Sequence, residues 1–364
     1  MGLIIFLQIV AFSPKRLEQE TAPTEITADT LRPTYTDSFV EPTIPKDRVP
    51  EYTVEGFQTV SAQSGIKQWR IQAEHAYFYQ TDGIVHAREV KSDLYDAQAR
   101  ITKVTSKEAK YFMTSKDLEL FGDVRSRMPS GLETLGPYMR YDAATKDLHV
   151  PAAYPIEGNS FEEDPKKKVT ESFDFKSQGL HYIGREDRAD LLSHVVVHVK
   201  KVTPKGMEIT TIESDRAVID RKKDRIFFTM LDSRPDDQRY VNISQPGMTS
   251  QSRRAEFRIN ANPKKLRTIL ALDDVKIVEN PKESELTASI AERRRARTEP
   301  RRATAGVAEF DSMENLIILR DYPQVYQDHD TITGDVIIVH RESDIVEIDQ
   351  SNAFSEGKPS DKSL

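Results

Sequence analysis

Cysteine is absent from this chain of 364 residues. That absence excludes disulfide bonds, thiolate zinc sites, iron–sulfur clusters and a cysteine nucleophile from these residues. Any binding or catalytic site must therefore be built from other side chains.

A surplus of positive charge is also absent. The chain carries 52 Lys and Arg side chains against 59 Asp and Glu, a formal net charge of −7, and the two signs are mixed along the sequence. Proteins that bind nucleic acids concentrate basic residues on one face. The composition therefore argues against a nucleic-acid partner.

Recognisable catalytic motifs are missing as well. The sequence contains no G-x-S-x-G, no G-x-G-x-x-G, no Walker loop and no H-E-x-x-H. His194 and His198 have a zinc-like spacing, but they lie in the strand-like run HVVVHV. Four residues of a strand span about 13 Å, too far for both to share one ion. We therefore predict no metal, no cofactor and no catalysis, although a glycosidase stays open because its two carboxylates need not be close in sequence.

Apolar residues are sparse. They make up 37% of the chain, and the mean hydropathy is −0.58. A folded chain with few apolar residues places them at alternate positions, as half-buried strands do.

The apolar run Gly2–Phe12 has about half of the roughly 20 residues of a membrane-spanning helix. We interpret residues 1–12 as a membrane anchor or signal segment whose beginning is missing; the alternative is a short segment that packs on the protein.

Residues 13–50 are punctuated by proline, which disrupts helices and central strands. The prolines are Pro14, Pro23, Pro33, Pro42, Pro45 and Pro50. Together with the surrounding Thr, Glu and Asp residues, they predict an extended tether. If residues 1–12 sit in a membrane, this tether lifts the folded part off the surface.

From Tyr52 onward, short runs rich in Val, Ile, Phe, Tyr and Thr end at Gly, Asp, Asn or Pro, which is typical of strands and turns. In one such run Leu118, Leu120 and Val124 share one parity, while acidic residues take the other. This period of two predicts strands rather than helices. The best candidate for a helix is Lys282–Arg297.

A hairpin-like unit recurs at intervals of roughly 30 to 40 residues, the scale of stacked repeats, with one longer interval where the Arg-rich segment precedes the last copy. Its openings are Glu74–Tyr79, Glu108–Met113, Gly136–Asp142, Gln178–Ile183, Asp215–Asp220, Arg253–Ile259 and Gly306–Asp311. Isolated hairpins cannot bury their apolar face, so they must stack into folded-over antiparallel sheets. We predict an all-β protein with two such units, at residues 51–155 and 156–350, and a disordered tail at residues 351–364.

Two stretches resemble a known family. Tyr52–Tyr79 combines an extended strand, a Gly turn and the pattern W-x-[IL]-x-A followed by an aromatic, and it resembles the start of the periplasmic domain of the lipopolysaccharide-transport protein LptC. Ala303–Asp349, with its turn at Met313–Asn315 and its Gly334-Asp335 pair, resembles the end of an LptA (OstA-type) domain. The chain therefore looks like an LptC-type unit followed by an LptA-type unit.

The resemblance implies an open β-jellyroll that carries lipopolysaccharide across the periplasm, with the lipid A acyl chains inside it. It implies no catalysis and no cofactor. The implied partners are lipopolysaccharide, the inner-membrane ABC transporter of this pathway and a neighbouring jellyroll that pairs through an edge strand. It also implies a periplasmic location, tethered to the inner membrane. The alternatives are an enzyme acting on envelope polysaccharide and a purely structural β-repeat protein.

Strand parity predicts which side chains line an apolar groove. They are Trp69, Ile71, Tyr77, Phe112, Leu118, Leu120, Val124 and Tyr141 in the first unit, and Ile209, Phe227, Phe257, Ile269, Phe310 and Ile318 in the second. The alternative is that they fill an ordinary sandwich core. Arg293, Arg294, Arg295 and Arg297 are candidates for binding phosphate or a partner; the alternative there is a solvated insertion.

Overall fold

The computed structural model describes residues 49–355 with gaps. The gaps are residues 64, 97, 130, 161–170, 204–205, 232–238, 262–263, 282–298, 328–329, 342–344 and 351. Several predictions fall outside the described residues. These are the segment 1–12, the tether up to residue 48, the candidate helix, the four arginines at 293–297 and the part of the predicted tail from residue 356. The prediction of disorder is wrong for residues 352–355 of that tail, which pair as a strand with residues 330–333.

The described residues form β-strands and turns, as the period of two predicts, and the all-β prediction is confirmed. The strands are β1 (Tyr52–Gln63), β2 (Ile66–Tyr79), β3 (Ile84–Tyr95), β4 (Ile101–Phe112), β5 (Leu118–Arg127), β6 (Leu132–Tyr141), β7 (Leu148–Ser160), β8 (Glu171–Ile183), β9 (Arg188–Thr203), β10 (Gly206–Ser214), β11 (Arg216–Asp220), β12 (Arg225–Thr229), β13 (Val241–Gln245), β14 (Met248–Ser252), β15 (Arg254–Ala261), β16 (Lys264–Glu279), β17 (Arg301–Asp311), β18 (Leu316–Arg320), β19 (Gln324–Gln327), β20 (Asp330–Thr333), β21 (Val336–His340), β22 (Val346–Asp349) and β23 (Asn352–Ser355).

The strands pair in an antiparallel meander. Strands β1 to β9 pair in chain order. Strand β9 then pairs with two shorter strands, with β11 through its first residues and with β10 through its last. In the rest of the ladder, the long strands β16 and β17 pair with each other and with short strands. Strand β16 also pairs with β14 and β15, and β17 also pairs with β18 and β19.

The long strands bend near their middle, where residues with positive φ interrupt the ladder. Glu89 in β3 has a φ of 50°, Asp123 in β5 has 47° and His194 in β9 has 50°. The bends of β3 and β5 are neighbours across the ladder. Strand β4 lies between them, and its residue Lys107 is at the level of Glu89 on one side and of the bend with Asp123 on the other. They form a crease that divides the sheet into two arms. The first arm contains Trp69–Ala73, Val195–Thr203 and Val275–Glu279, and the second contains Leu118–Phe121, Arg188–Leu191 and Val336–His340.

The two arms fold over each other. The hydroxyl of Tyr141 in β6 donates to the carbonyl oxygen of Gln68 in β2 at 3.2 Å. These strands are four positions apart in the ladder, which would separate them by about 19 Å in a flat sheet. The contact therefore requires the sheet to close on itself, and the folded-over architecture predicted from the hairpin repeat is confirmed.

A continuous row of inward-facing side chains runs along the second arm. Neighbours in this row are Leu118, Tyr141, Leu148, Tyr182, Ala189, Ile219, Ile226, Phe257, Ile269, Phe310, Ile317 and Val339. They are buried and belong to one hydrophobic core. The row passes through β7, where the predicted boundary between residues 155 and 156 lies, and the division into two units stays a prediction.

Candidate functional site

A cavity of about 530 Å³ opens between the tips of the two arms in the C-terminal half of the fold. On the first arm it is lined by Val199, Lys201, Glu208, Thr210, Gln245, Pro246, Gly247, Glu279, Asn280 and Pro281. On the second arm it is lined by Leu266, Ile269, Phe310, Asp311, Ser312, Asn315, Leu316 and Arg341. We call this opening the mouth.

The mouth has an apolar floor. Ile269 and Phe310 are directly opposed in the β16–β17 register and continue the inward row of the second arm. Leu266, Leu316 and Val199 add aliphatic surface around them. The period of two explains this floor, since alternate residues of β16 and β17 face inward and those that reach the mouth include Ile269 and Phe310. The floor can therefore contact an apolar ligand without any directional bond.

The rim of the mouth is charged. Glu279 is buried at the end of β16, where its Oε2 accepts from Arg301 at 3.3 Å and its Oε1 from Arg341 at 3.4 Å. Arg301 also donates to Gln327 Oε1 at 3.0 Å. The backbone amide of Arg341 donates to the carbonyl oxygen of Asn315 at 3.1 Å. Glu279 therefore ties the tip of the first arm to the tip of the second.

The seam between the arms is closed in the N-terminal half of the fold. Trp69 Nε1 donates to the carbonyl oxygen of Lys116 at 2.9 Å, and Tyr141 bridges the arms as described above. Farther along, Arg100 donates to the carbonyl oxygen of Gly184 at 3.2 Å and lies 3.5 Å from Asp187. Burial raises the pKa of the Tyr141 phenol, so this bridging group stays neutral. The interior beneath this seam is filled by side chains.

Most of the predicted groove residues lie in the core. Trp69, Ile71, Leu118, Leu120, Val124, Tyr141, Phe257, Ile269 and Phe310 are buried members of the core cluster. Of these nine, Ile269 and Phe310 line the mouth. The others pack against protein, and their contact with a lipid stays a prediction.

The inward orientation expected for five of the residues is wrong. Phe112, Phe227 and Ile318 alternate with core residues and so belong to the opposite face of the sheet. Tyr77 lies opposite His86 on that outer face, beneath the Arg88 guanidinium. Ile209 is 38% exposed near the tip of the β9–β10 hairpin. Phe112 follows the irregularity in β4 between Thr105 and Glu108, and a shift of one residue moves a side chain to the other face. Phe227 and Ile318 lie in strands that carry apolar residues at both parities.

The charged residues of the rim were not found from the sequence. Glu279 and Arg341 are 62 residues apart, and neither belongs to a motif. Arg301 and Arg302 follow the candidate arginines at 293–297 in the sequence, but the role of Arg301 depends on a partner in another strand. No local pattern indicates such contacts, because they arise only when the arms close.

Comparison with known proteins gives two matches. Residues 26–196 match the family model described as lipopolysaccharide-assembly, LptC-related, which confirms the resemblance seen in Tyr52–Tyr79. The chain is also similar to the crystal structure of LptH, the LptA-homologous periplasmic component of the conserved lipopolysaccharide transport device from Pseudomonas aeruginosa. That similarity has a TM-score of 0.32 and 12% identity, and it covers 41% of this chain and 95% of that chain.

A search of the curated proteins finds no match. The family match ends in β9, so the mouth, whose lining begins at Val199, lies beyond it. In the part of the chain that the structure describes, no helix is long and apolar enough to cross a membrane.

Proposed function

Because residues 26–196 match the family model described as lipopolysaccharide-assembly, LptC-related, we propose that this protein binds lipopolysaccharide and passes it along the periplasm without catalysis. The mouth is the observation that carries the proposal. Its volume of about 530 Å³ is within the range of small-molecule sites, roughly 300–1,000 Å³. In this proposal, acyl chains of lipid A enter between the arms and rest on Ile269 and Phe310.

The apolar floor supplies the binding energy for an acyl chain. Each methylene that leaves water contributes about 0.8 kcal/mol, so a few methylenes against Ile269, Phe310 and Leu266 are enough for measurable affinity. These contacts have no preferred direction, so the chain can slide. A protein that passes its ligand onward needs that property, because strong directional bonds would hold the ligand in place.

The charged rim suits the polar part of the same molecule. Lys201 stands at the rim of the mouth, and cations of this kind bind phosphate groups. We therefore place the sugar phosphates of lipid A outside the mouth, close to this residue. The acyl chains and the polar head are then separated by the rim.

The proposal includes partners at the edges of the sheet. Within the described residues, β1 pairs with β2 alone, so the outer edge of this 12-residue strand is open to another strand. An open edge pairs readily with a strand of a second protein. We propose that a neighbouring jellyroll docks there. The other proposed partner is the inner-membrane ABC transporter. We also propose that the chain itself lies in the periplasm and that its N-terminus tethers it to the inner membrane.

Photo-crosslinking to lipopolysaccharide tests the proposal. A photoreactive amino acid at Phe310 or Ile269, on the floor of the mouth, should capture the lipid. The matched controls are Glu309 and Leu270, which are the next residues in the chain and point to the opposite face. Capture at Leu118 or Leu120 as well would extend the binding site from the mouth into the N-terminal half. Equal yields at floor and control positions would contradict the mouth as the binding site and favour a structural β-repeat protein.

A further inference from the structure

The β9–β10 hairpin presents three exposed aliphatic side chains near its tip. Val202 is 64% exposed, Met207 is 62% exposed and Ile209 is 38% exposed. Val202 and Met207 are directly opposed in the register, and Ile209 follows on the same face two residues later. We call these three residues the hairpin patch.

The hairpin patch faces away from the mouth. Val199, Lys201, Glu208 and Thr210 alternate with the patch along the two strands, and these four residues line the mouth. A ligand in the mouth therefore contacts one face of the hairpin and leaves the other face free. The binding proposed above does not account for the hairpin patch.

The charge around the hairpin patch is positive. Lys200 lies directly opposite Ile209, and Lys201 is its neighbour in the chain. The sequence contains no acidic residue from position 191 to position 207, although the whole chain has a formal net charge of −7. Lys200 also pairs with Asp174 in β8, and Lys201 faces the mouth, so the positive charge belongs to the hairpin as a whole rather than to the face of the patch alone. An anionic surface complements this arrangement.

We propose that the hairpin patch inserts into the interfacial region of an anionic lipid bilayer. Aliphatic side chains at a hairpin tip enter the boundary between headgroups and acyl chains, and neighbouring lysines are attracted by anionic headgroups. A stable protein–protein interface buries roughly 1,200–2,000 Å², far more than three side chains provide. A lipid surface needs no such area or shape complementarity. This inference goes beyond the proposed function and does not depend on it.

Vesicle flotation tests the inference. The full chain is mixed with vesicles of phosphatidylcholine alone or of phosphatidylcholine with phosphatidylglycerol. We expect binding to the anionic vesicles that weakens with added salt. The double variant Val202→Asp/Met207→Asp should bind these vesicles about tenfold more weakly, because each Asp removes apolar contact and adds repulsion.

Met313→Asp is the matched control. Met313 is 72% exposed in the turn that follows β17, on the second arm, and its replacement should leave vesicle binding unchanged. Comparison between variants cancels any lipid binding by Gly2–Phe12. The unaltered protein, the double variant and Met313→Asp should all unfold at the same temperature, since every altered side chain is exposed.

Three outcomes would overturn the inference: no flotation of the unaltered protein, equal flotation of the double variant, or an equal loss with Met313→Asp. If the double variant instead abolished a dimer seen by gel filtration, a second copy of the chain would be the partner. Crosslinking of lipopolysaccharide at Phe310 should be unaffected by the double variant. The two experiments therefore distinguish an error in the inference about the hairpin patch from an error in the proposed binding of lipopolysaccharide at the mouth.

Discussion

Arg341 and Glu279 meet across the mouth, with Nε of Arg341 3.4 Å from Oε1 of Glu279. Arg341 follows β21 in the second arm, and Glu279 ends β16 in the first. Two strands, β17 and β18, lie between β16 and β21 in the ladder, which would separate them by about 14 Å in a flat sheet. The ion pair is therefore a consequence of folding over, and it spans the opening that the proposed lipid must use.

Replacing Glu279 should cost more stability than replacing Arg341. Glu279→Gln leaves the buried Arg301 guanidinium without its carboxylate partner, and breaking a buried pair in this way lowers the free energy of unfolding by about 3 kcal/mol. Arg341→Gln removes a partly exposed charge, for which we expect a loss of at most about 1 kcal/mol. Urea denaturation at neutral pH measures both. A larger loss for Arg341→Gln would contradict this assignment.

The ion pair between Arg341 and Glu279, which we call the clasp, also predicts an effect on the mouth. Arg341→Gln removes the link between the arm tips while the buried Arg301–Glu279 pair stays intact. We therefore expect photo-crosslinking of lipopolysaccharide at Phe310 to increase in this variant. The control is Arg70→Gln, which removes an ion pair with Asp93 between the neighbouring strands β2 and β3. An equal increase of crosslinking in Arg70→Gln would show that the ion pair between Arg341 and Glu279 does not restrict entry into the mouth.

The crease should tolerate β-branched residues poorly. Glu89 is exposed in β3 with a φ of 50°, a conformation that a β-branched side chain strongly disfavours. We expect Glu89→Val to lower the free energy of unfolding by about 1–2 kcal/mol. Lys91→Val is the matched control, because Lys91 is exposed in the same strand and outside the bend. Equal stability of the two variants in urea would contradict strain at the crease.

The strand period predicted the fold well where charged residues occupy one parity. In the run from Leu118 to Val124, Glu119 and Asp123 take one parity, and Leu118, Leu120 and Val124 of the other parity are all buried in one core. The prediction failed at Phe227 and Ile318, within the strands RIFFT and LIILR. Both parities of these strands carry apolar residues, so the period cannot tell the inner face from the outer.

The mouth could be predicted only in part. An apolar floor follows from alternation, and Ile269 and Phe310 were among the expected residues. Its position did not follow, because closure of the N-terminal half depends on Trp69 and Tyr141 reaching backbone carbonyls on the other arm. Such contacts depend on how far the arms fold, and the sequence contains no local pattern that sets this distance.

Gly158 should be intolerant of a side chain. It lies opposite Phe175 in the β7–β8 register, and a Cβ at this position would collide with the Phe175 ring and lie 3.0 Å from the carbonyl oxygen of Glu133. We expect Gly158→Ala to lower the free energy of unfolding by about 1–3 kcal/mol, as overpacking does. Gly158→Ala/Phe175→Leu should lose less than the sum of the two single changes. A fully additive loss in urea would contradict the collision.

Two buried histidines should make the fold sensitive to mild acid. Burial lowers the pKa of His149 to about 4, helped by His181 and Arg140, and burial with Lys110 nearby lowers the pKa of His86 to about 4. The unfolded chain, with a histidine pKa of about 6.5, binds more protons than the folded chain between these values. The free energy of unfolding should therefore fall as the pH drops from about 6.5 to about 4, by up to about 1.4 kcal/mol per pH unit for each histidine. His149→Phe and His86→Phe should each flatten this slope in urea denaturation, and the double variant should flatten it further; an unchanged slope would show that these side chains are charged in the folded protein.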